Sequence, residues 1–341
     1  MILYKNTLKE ALNIAKQLVS TKTPFLRAGL LEFSTIDNVL YICVTNGREE
    51  MCVPVCETDT ELHAYISAPA FISLIDKLPN ISITIKEQNH KLHICANNLD
   101  YCFDMLEYDN GEVTPKEAEE YITISGKQMS QLYKTLKCSL PTDNIRPALN
   151  SFTFAGTEVI TVSALSMTFM QIDTPISEKT EYISPDVMRI LATTTEDIQI
   201  SKTSHGFLFI SPTFNLFSPF LQEGMTIETL HKLAAKSTKD ICVVNTKEFL
   251  SAAKRILVVA PNNNRYTLSF TPQGIRLSTE TGSTETLSDV VCREEASIHM
   301  DVSLLINTLQ SIPDDEVRIE ITNNHLIHFY GTAHWVNCLM K

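Results

Sequence analysis

At 341 residues, 44% hydrophobic and 20% charged, the chain has an ordinary globular balance that excludes large-scale disorder and leaves room for two or three domains. No apolar run approaches the roughly 18 residues needed to cross a bilayer, and the opening MILYKNTLKEALNIAKQLV carries Lys and Glu inside its apolar pattern, so a soluble, cytoplasmic protein without membrane contact is expected. The formal net charge of −12 argues, by itself, against a nucleic-acid binder, whose usual signature is basic.

The first predicted helix covers Asn6 to Val19, with Asn6 as its cap and Leu8, Ala11, Leu12, Ala15, Leu18 and Val19 as one apolar stripe. Alternating segments follow in GLLEFSTIDNVLYICVTN. Ser67 then caps a shorter helix with Pro69 in its first turn and Phe71, Leu74, Ile75 and Leu78 on its apolar face. ISITIKEQNHKLHICANN supplies two more strands, and a polar, hinge-like stretch lies around 108–121.

The same series then repeats. A helix from Ser125 to Leu140 buries Met129, Leu132, Tyr133, Leu136 and Leu140, and NSFTFAGTEVITVSA is extended. Ser184 caps a helix with Pro185 in its first turn and Val187, Met188 and Leu191 facing inward; IQISKTSHGFLFISP follows, then a second hinge-like stretch at 230–240. In the third copy the helix runs from Asn245 to Ala260 over Phe249, Leu250, Ala253, Ile256 and Leu257. YTLSFTPQGIRLSTE, an Asp301-capped helix with Leu304, Leu305 and Leu309, and VRIEITNNHLIHFYG complete it. The caps Ser67, Ser184 and Asp301 stand 117 residues apart in both intervals. A strand–helix–strands unit thus occurs twice per domain and six times per chain, and such units must pair to share cores. The expected class is α+β, with domains at 1–118, 119–238 and 239–341, each with two helices on antiparallel sheets.

Charge follows the repeat. Residues 5–22 balance to +3 (Lys5, Lys9, Lys16 and Lys22 against Glu10), residues 125–140 to +3 (Lys127, Lys134 and Lys137), and residues 245–260 to +2 (Lys247, Lys254 and Arg255 against Glu248). The rest of the chain carries −20. Each first helix has two lysines seven apart, close to two turns and so on one face: Lys9 and Lys16, Lys127 and Lys134, Lys247 and Lys254. A solvated polar face is the ordinary meaning of one such pair. Three copies on an acidic protein point to weak, salt-sensitive, non-specific attraction to a phosphate backbone.

The stretch DNIRPALNSFTFAGTEVITVSALSMTFMQI resembles the central domain of bacterial beta sliding clamps, the beta subunits of DNA polymerase III. FNLFSPFLQEGMTIETLHKLAA is similar to the end of that family's second domain, and TKEFLSAAKRILVVAPNNNRYTLSF to the start of its third. The resemblance covers essentially the whole chain and implies a DNA clamp fold closing as a head-to-tail homodimeric ring. It further implies a non-catalytic processivity factor for DNA replication, loaded by a clamp loader and tethering a polymerase through short peptide motifs. Lys9, Lys16, Lys22, Lys127, Lys134, Lys137, Lys247, Lys254 and Arg255 would face double-stranded DNA. By the same resemblance a partner-peptide pocket would involve Arg146, Leu149, Met167, Phe169, Met170, Arg265, Leu339 and Met340. The family's Thr-Asp-Gly-His-Arg-Leu segment is Ala164 to Phe169 here, and its C-terminal Pro-Met-Arg-Leu is Cys338-Leu339-Met340-Lys341, so peptide preference should differ. Plain core packing is the competing account of these Met and Phe residues. The alternative function is a clamp-like regulatory or decoy protein that binds clamp partners without encircling DNA.

An enzyme requires a constellation that the sequence lacks. None of the ten glycines falls in GxGxxG or GxxxxGK[ST] spacing, and GxSxG and HExxH are absent. A hydrolase using the repeat as scaffold is therefore disfavoured, and no cofactor or metal is expected. His325, His328, His334 and Cys338 form the best metal candidate, but residues three apart on a strand face opposite ways. Cys52 and Cys56 lack nearby partners. The nine cysteines read mainly as buried reduced thiols, and the acid pairs Glu49-Glu50 and Glu119-Glu120 as solvated loops.

Overall fold

The computed structural model describes residues 1–20, 25–107, 116–117, 120–141, 149–221, 226–234, 238–259, 265–322 and 326–340. Lys22, Glu119, Arg146, His325 and Lys341 lie outside them.

The first copy runs β1 (Ile2–Tyr4), α1 (Lys5–Ala15), β2 (Leu30–Ile36), β3 (Val39–Thr45), β4 (Glu50–Glu57), then β5 (His63–Ser67), α2 (Ala68–Lys77), β6 (Ser82–Gln88), β7 (Lys91–Ala96) and β8 (Leu99–Asp104). The second has β9 (Ile122–Ser125), α3 (Gly126–Leu136), β10 (Phe152–Ala155), β11 (Glu158–Val162), β12 (Ser166–Gln171), β13 (Glu181–Ile183), α4 (Pro185–Leu191), β14 (Asp197–Lys202), β15 (Gly206–Ser211) and β16 (Phe214–Pro219). After an additional helix, α5 (Ile227–Ala234), the third follows as β17 (Lys239–Asn245), α6 (Thr246–Val258), β18 (Arg265–Thr271), β19 (Gly274–Thr279), β20 (Thr284–Leu287), β21 (Ala296–Asp301), α7 (Val302–Ser311), β22 (Glu316–Thr322), β23 (Leu326–Tyr330) and β24 (Ala333–Cys338). The strand–helix–strands unit recurs through the described residues as its periodicity predicted.

One hydrogen bond fixes the register of the copies. The amide of the first residue of each long helix donates to the carbonyl just before the strand that follows the shorter helix: Lys5 to Ile81 (3.1 Å), Gly126 to Glu196 (3.0 Å) and Thr246 to Asp315 (2.8 Å). A Cβ at Gly126 would stand 2.4 Å from the Thr194 oxygen and 2.6 Å from the Glu196 oxygen, so in this copy a side chain would require the backbone to shift, although Lys5 and Thr246 make the equivalent bond with side chains. From these origins the buried residues fall in step: Leu8, Ala11, Leu12 and Ala15 in α1; Met129, Leu132 and Leu136 in α3; Phe249, Ala252, Ala253 and Ile256 in α6.

Cap chemistry differs from expectation at α1. The helix begins at Lys5 behind Tyr4, with no side-chain cap, and Asn6 lies inside it. Asn245 does cap α6 by accepting from the Glu248 amide (3.0 Å), Ser184 Oγ accepts from Val187 (3.2 Å), and Asp301 accepts from Ser303 (2.7 Å). Ser67 occupies the N-cap position of α2 without a side-chain bond. The 230–240 stretch read as a hinge contains the end of α5, whose Leu230 and Ala234 are buried. Its three apolar contacts at helical spacing (Ile227, Leu230, Ala234) outweigh the polar composition around them.

The chain divides into two compact units, Met1–Lys127 with Arg189–Phe220, and Gln128–Met188 with Leu221–Lys341. All pairings are antiparallel. In the first unit one sheet has the order β1-β6-β7-β8 and the other β5-β2-β3-β4-β16-β15-β14-β9. The second contains β13-β10-β11-β12-β24-β23-β22-β17 and β20-β19-β18-β21. Each eight-stranded sheet therefore joins a four-stranded half from one copy to a half from the next, through β4 with β16 (Leu216 opposite Met51) and β12 with β24 (Met167 opposite Val336). α1 packs on α2 and on β3 and β4, and α6 packs on α7, β19 and β20. Trp335, fully buried, donates from Nε1 to the Thr135 carbonyl (3.3 Å).

Candidate nucleic-acid interface and partner pocket

The lysine faces are present, but not in the register that the sequence spacing implied. Counting from the shared origins Lys5, Gly126 and Thr246, Lys127 and Lys247 both stand one residue in, and Lys134 and Lys254 eight. Lys9 and Lys16 stand three positions further along their helix, about 60° around its surface. The apparent three-fold match arose because the spacing of seven is shared while its starting point is not. Lys5, counted among the first helix's charges, is buried.

Ion pairing separates the cations further. Lys9 Nζ contacts Asp76 (2.9 Å), Lys247 Nζ contacts Asp315 (2.7 Å) and Arg255 contacts Glu285 (2.6 Å). These contacts hold the Asp76 and Asp315 carboxyls below the usual carboxylate range, chiefly through the lysine hydrogen bond. Lys16 hydrogen-bonds Asn13 (2.6 Å), and Lys137 Nζ lies over the Tyr133 ring at 5.7 Å. Lys127, Lys134 and Lys254 are exposed with no ion pair among the described residues.

The predicted pocket residues divide into three groups. Met167, Phe169 and Leu149 join one apolar cluster with Ile160, Val162, Leu230, Ala234, Leu326 and Val336, against which Cys338 also packs. Met167, Phe169 and Met170 are only 8%, 5% and 7% exposed, so much of their surface packs within the fold. Met340 is 41% exposed and bridged to His299 through its amide (2.8 Å), following half-buried Leu339. Arg265 opens β18 opposite Asp301.

Beside the apolar cluster is a cavity of about 390 Å³, lined by Phe169, Met170, Gln171, Glu158, His231, Ala234, Thr238, Tyr330, Gly331, Thr332, Ala333 and His334. His231 and His334 flank the Phe169 ring at centroid distances of 5.3 and 5.5 Å, and Tyr330 stacks on His334 at 4.3 Å. His231 Nε2 contacts Glu158 (2.7 Å). His334 Nε2 lies 3.0 Å from His328 Nδ1, whose other nitrogen meets Thr322 Oγ1 at 2.8 Å. Burial, then the neighbouring His328 and His231, push the His334 pKa down to about 4; burial also lowers His328. The lining thus mixes an aromatic stack of Phe169, His334 and Tyr330 with polar Gln171, Thr238 and Thr332, and Glu158 and His231 meet at one side. Sequence reading missed Tyr330 and weighed His334 only as a metal ligand, because only strand register shows the two directly opposite one another across β23 and β24.

The sequence-derived metal candidate does not assemble among the described residues: His328 and His334 meet each other, while Cys338 lies opposite Leu326 and packs into the apolar cluster. Cys52 pairs with Cys43 across β3 and β4, not with Cys56. Cysteine burial is less uniform than expected, with Cys102 exposed and Cys56, Cys95, Cys138 and Cys338 intermediate. Glu49, expected in solvent, is fully buried, held by Arg48 (2.7 Å) and Asn46 (2.6 Å), and Glu50 contacts Lys116 (2.8 Å).

No protein-family profile matches the chain. The beta sliding clamp of Bacillus subtilis is 23% identical over 348 residues, covering 93% of this chain and 92% of that protein. Among solved structures, a putative DNA polymerase III beta subunit from Eubacterium rectale superposes with a TM-score of 0.88 at 14% identity, covering 100% of this chain and 99% of that one. The DNA polymerase sliding clamp of Bacillus subtilis gives 0.87 at 20% identity, covering 100% and 98%.

Proposed function

From a chain that has the sliding-clamp fold and is a divergent relative of the bacterial beta clamps, we propose a DNA sliding clamp: a non-catalytic, cytoplasmic processivity factor that encircles duplex DNA. In this reading three clamp-type domains, 1–118, 119–238 and 239–341, pair head to tail with a second copy. The ring tethers a polymerase and is placed on DNA by a loader, both engaging through short peptide motifs. The observation that carries it is the condition of one edge strand. At the β4–β16 junction the core-face residues Phe214 and Leu216 are 2% and 0% exposed; Leu99 and Tyr101, which hold the matching hairpin positions on β8, are each 37% exposed. β20, the corresponding edge of the third copy, is likewise partly open. Pairing β8 of one copy with β20 of the other would repeat both internal junctions and leave neither edge bare.

The exposed Lys127, Lys134 and Lys254 supply weak attraction to phosphates, while enclosure supplies retention. The cavity beside Phe169 and Met170, next to the apolar cluster that holds Leu149 and Met167, is the site for partner peptides, while Leu339 and Met340 follow the opposite end of β24 from the cavity-lining Ala333 and His334. Its His and Tyr lining suits a different apolar motif from the family's usual one. The ion pairs at Lys9, Lys247 and Arg255 favour the second reading, a clamp-like regulator that binds partners without encircling DNA. Solution mass with negative-stain imaging separates the two. A particle of twice 38.3 kDa with a central hole, retained on circular DNA and released on linearisation, is expected for a clamp. A monomer that binds partner peptides supports the regulator.

A further inference from the structure

The hairpin of β7 and β8 places four metal-ligating side chains on one face. His93 stands directly opposite Cys102 and Cys95 directly opposite Asp100. Because residues two apart on a strand share a face, His93, Cys95, Asp100 and Cys102 form the corners of a square. That face points away from the core: Leu92, Ile94 and Ala96, which alternate with them, are buried.

Neighbouring donor atoms are already in contact around the square. His93 Nδ1 lies 3.1 Å from Asp100 Oδ1, Cys102 Sγ lies 3.3 Å from His93 Nδ1, and Cys95 Sγ lies 3.4 Å from Asp100 Oδ1. The ligand atoms of His93, Asp100 and Cys102 all fall within 4.8 Å of one another, while Cys95 Sγ meets Asp100 but stands outside that group of three and must close in on it when an ion binds. Zinc–sulfur bonds near 2.3 Å and zinc–nitrogen bonds near 2.0 Å place tetrahedral donors roughly 3.3 to 3.8 Å apart, close to these separations.

We propose that His93, Cys95, Asp100 and Cys102 form a binding site for a thiophilic divalent cation, zinc by its donor set. Two thiolates, an imidazole and a carboxylate suit zinc and disfavour magnesium or calcium, which take oxygen ligands. The cluster is not a demand of the fold. The corresponding positions on β15 and β16 are Leu208 opposite Phe217 and Ile210 opposite Asn215. Binding releases the proton of each thiol and leaves the imidazole neutral, with no change of oxidation state. The ion would staple edge strand β8 to β7, and it sits on the solvent face, so edge pairing leaves it accessible. The site does not depend on the clamp reading.

The test uses the full-length protein, reduced with a phosphine and stripped by chelator, then titrated with cobalt(II) and afterwards zinc. The site predicts one equivalent of cobalt with thiolate charge-transfer absorption and the visible bands of tetrahedral coordination, all removed by zinc. C95S and C102S should each lose about half of the charge-transfer intensity. Since losing even an outer partner of a metal ligand typically costs ten- to a hundredfold in affinity, each should bind at least about tenfold more weakly. D100N, which keeps both thiols, should retain the sulfur band with altered visible bands, and C56S should match the parent. Substoichiometric binding, or a spectrum unchanged in folded C95S/C102S protein, overturns the proposal.

Discussion

Replacing Lys127, Lys134 and Lys254 with Gln removes three exposed cations that make no ion pair among the described residues. A proposed dimer loses six. Each phosphate contact contributes a slope of about −0.9 to the logarithmic dependence of duplex affinity on salt. If all six reach phosphates, the slope therefore flattens by up to about 5. The matched comparison replaces Lys9, Lys247 and Arg255, which are held by Asp76, Asp315 and Glu285. Those cations must leave a carboxylate before meeting DNA, so their removal should flatten the slope distinctly less. Both triple variants keep the buried helix faces, and circular dichroism should show unchanged folds. The assay is fluorescence anisotropy of a labelled duplex across a salt series, with retention on nicked circular DNA alongside. If the ion-paired set flattens the slope as much as the unpaired set, or the unpaired set leaves it unchanged, the division of the cations is wrong.

Other consequences are local. His334 has a folded-state pKa of about 4 against 6.5 for the free side chain, so the unfolded chain binds more protons between those values. Its contribution, about 3 kcal/mol at most, is complete above pH 6.5 and lost as pH falls towards 4. Denaturant titrations should show this slope and H334F should reduce it; an equal slope in both refutes the assignment. Asp301→Ala removes two hydrogen bonds at the start of α7 and should cost about 1 kcal/mol in the same measurement. Gly126→Ala forces a Cβ against the Thr194 and Glu196 carbonyls and should destabilise by about 1–3 kcal/mol, whereas an Ala variant as stable as the parent would show that this junction yields easily.

The repeat was legible because it rests on periodic burial, which a sequence displays directly. Leu8, Met129 and Phe249 open their helical stripes at equivalent places and all are fully buried. Strand partners were not legible, since pairing brings together residues distant in sequence. The Phe169–His334–Tyr330 stack and the His93–Cys102 grid both exist only once register is known. Charge misled for a related reason. A helix face displays its lysines in sequence, but the acids that neutralise them arrive from other segments: Asp76 from α2, Asp315 from the turn after α7, and Glu285 from β20. Glu49 shows the same limit, because a polar turn sequence does not reveal that Arg48 and Asn46 fold over its carboxylate.

The two eight-stranded sheets bear on how such a chain can be divided or built. Excising the central copy would strip β12 of β24 and β16 of β4, turning two internal ladders into raw, apolar borders. Such a fragment would be sticky rather than autonomous, seeking any extended segment in solution. The copies behave as interlocking tiles, and growth by duplication works only if each new tile arrives with both complementary borders intact.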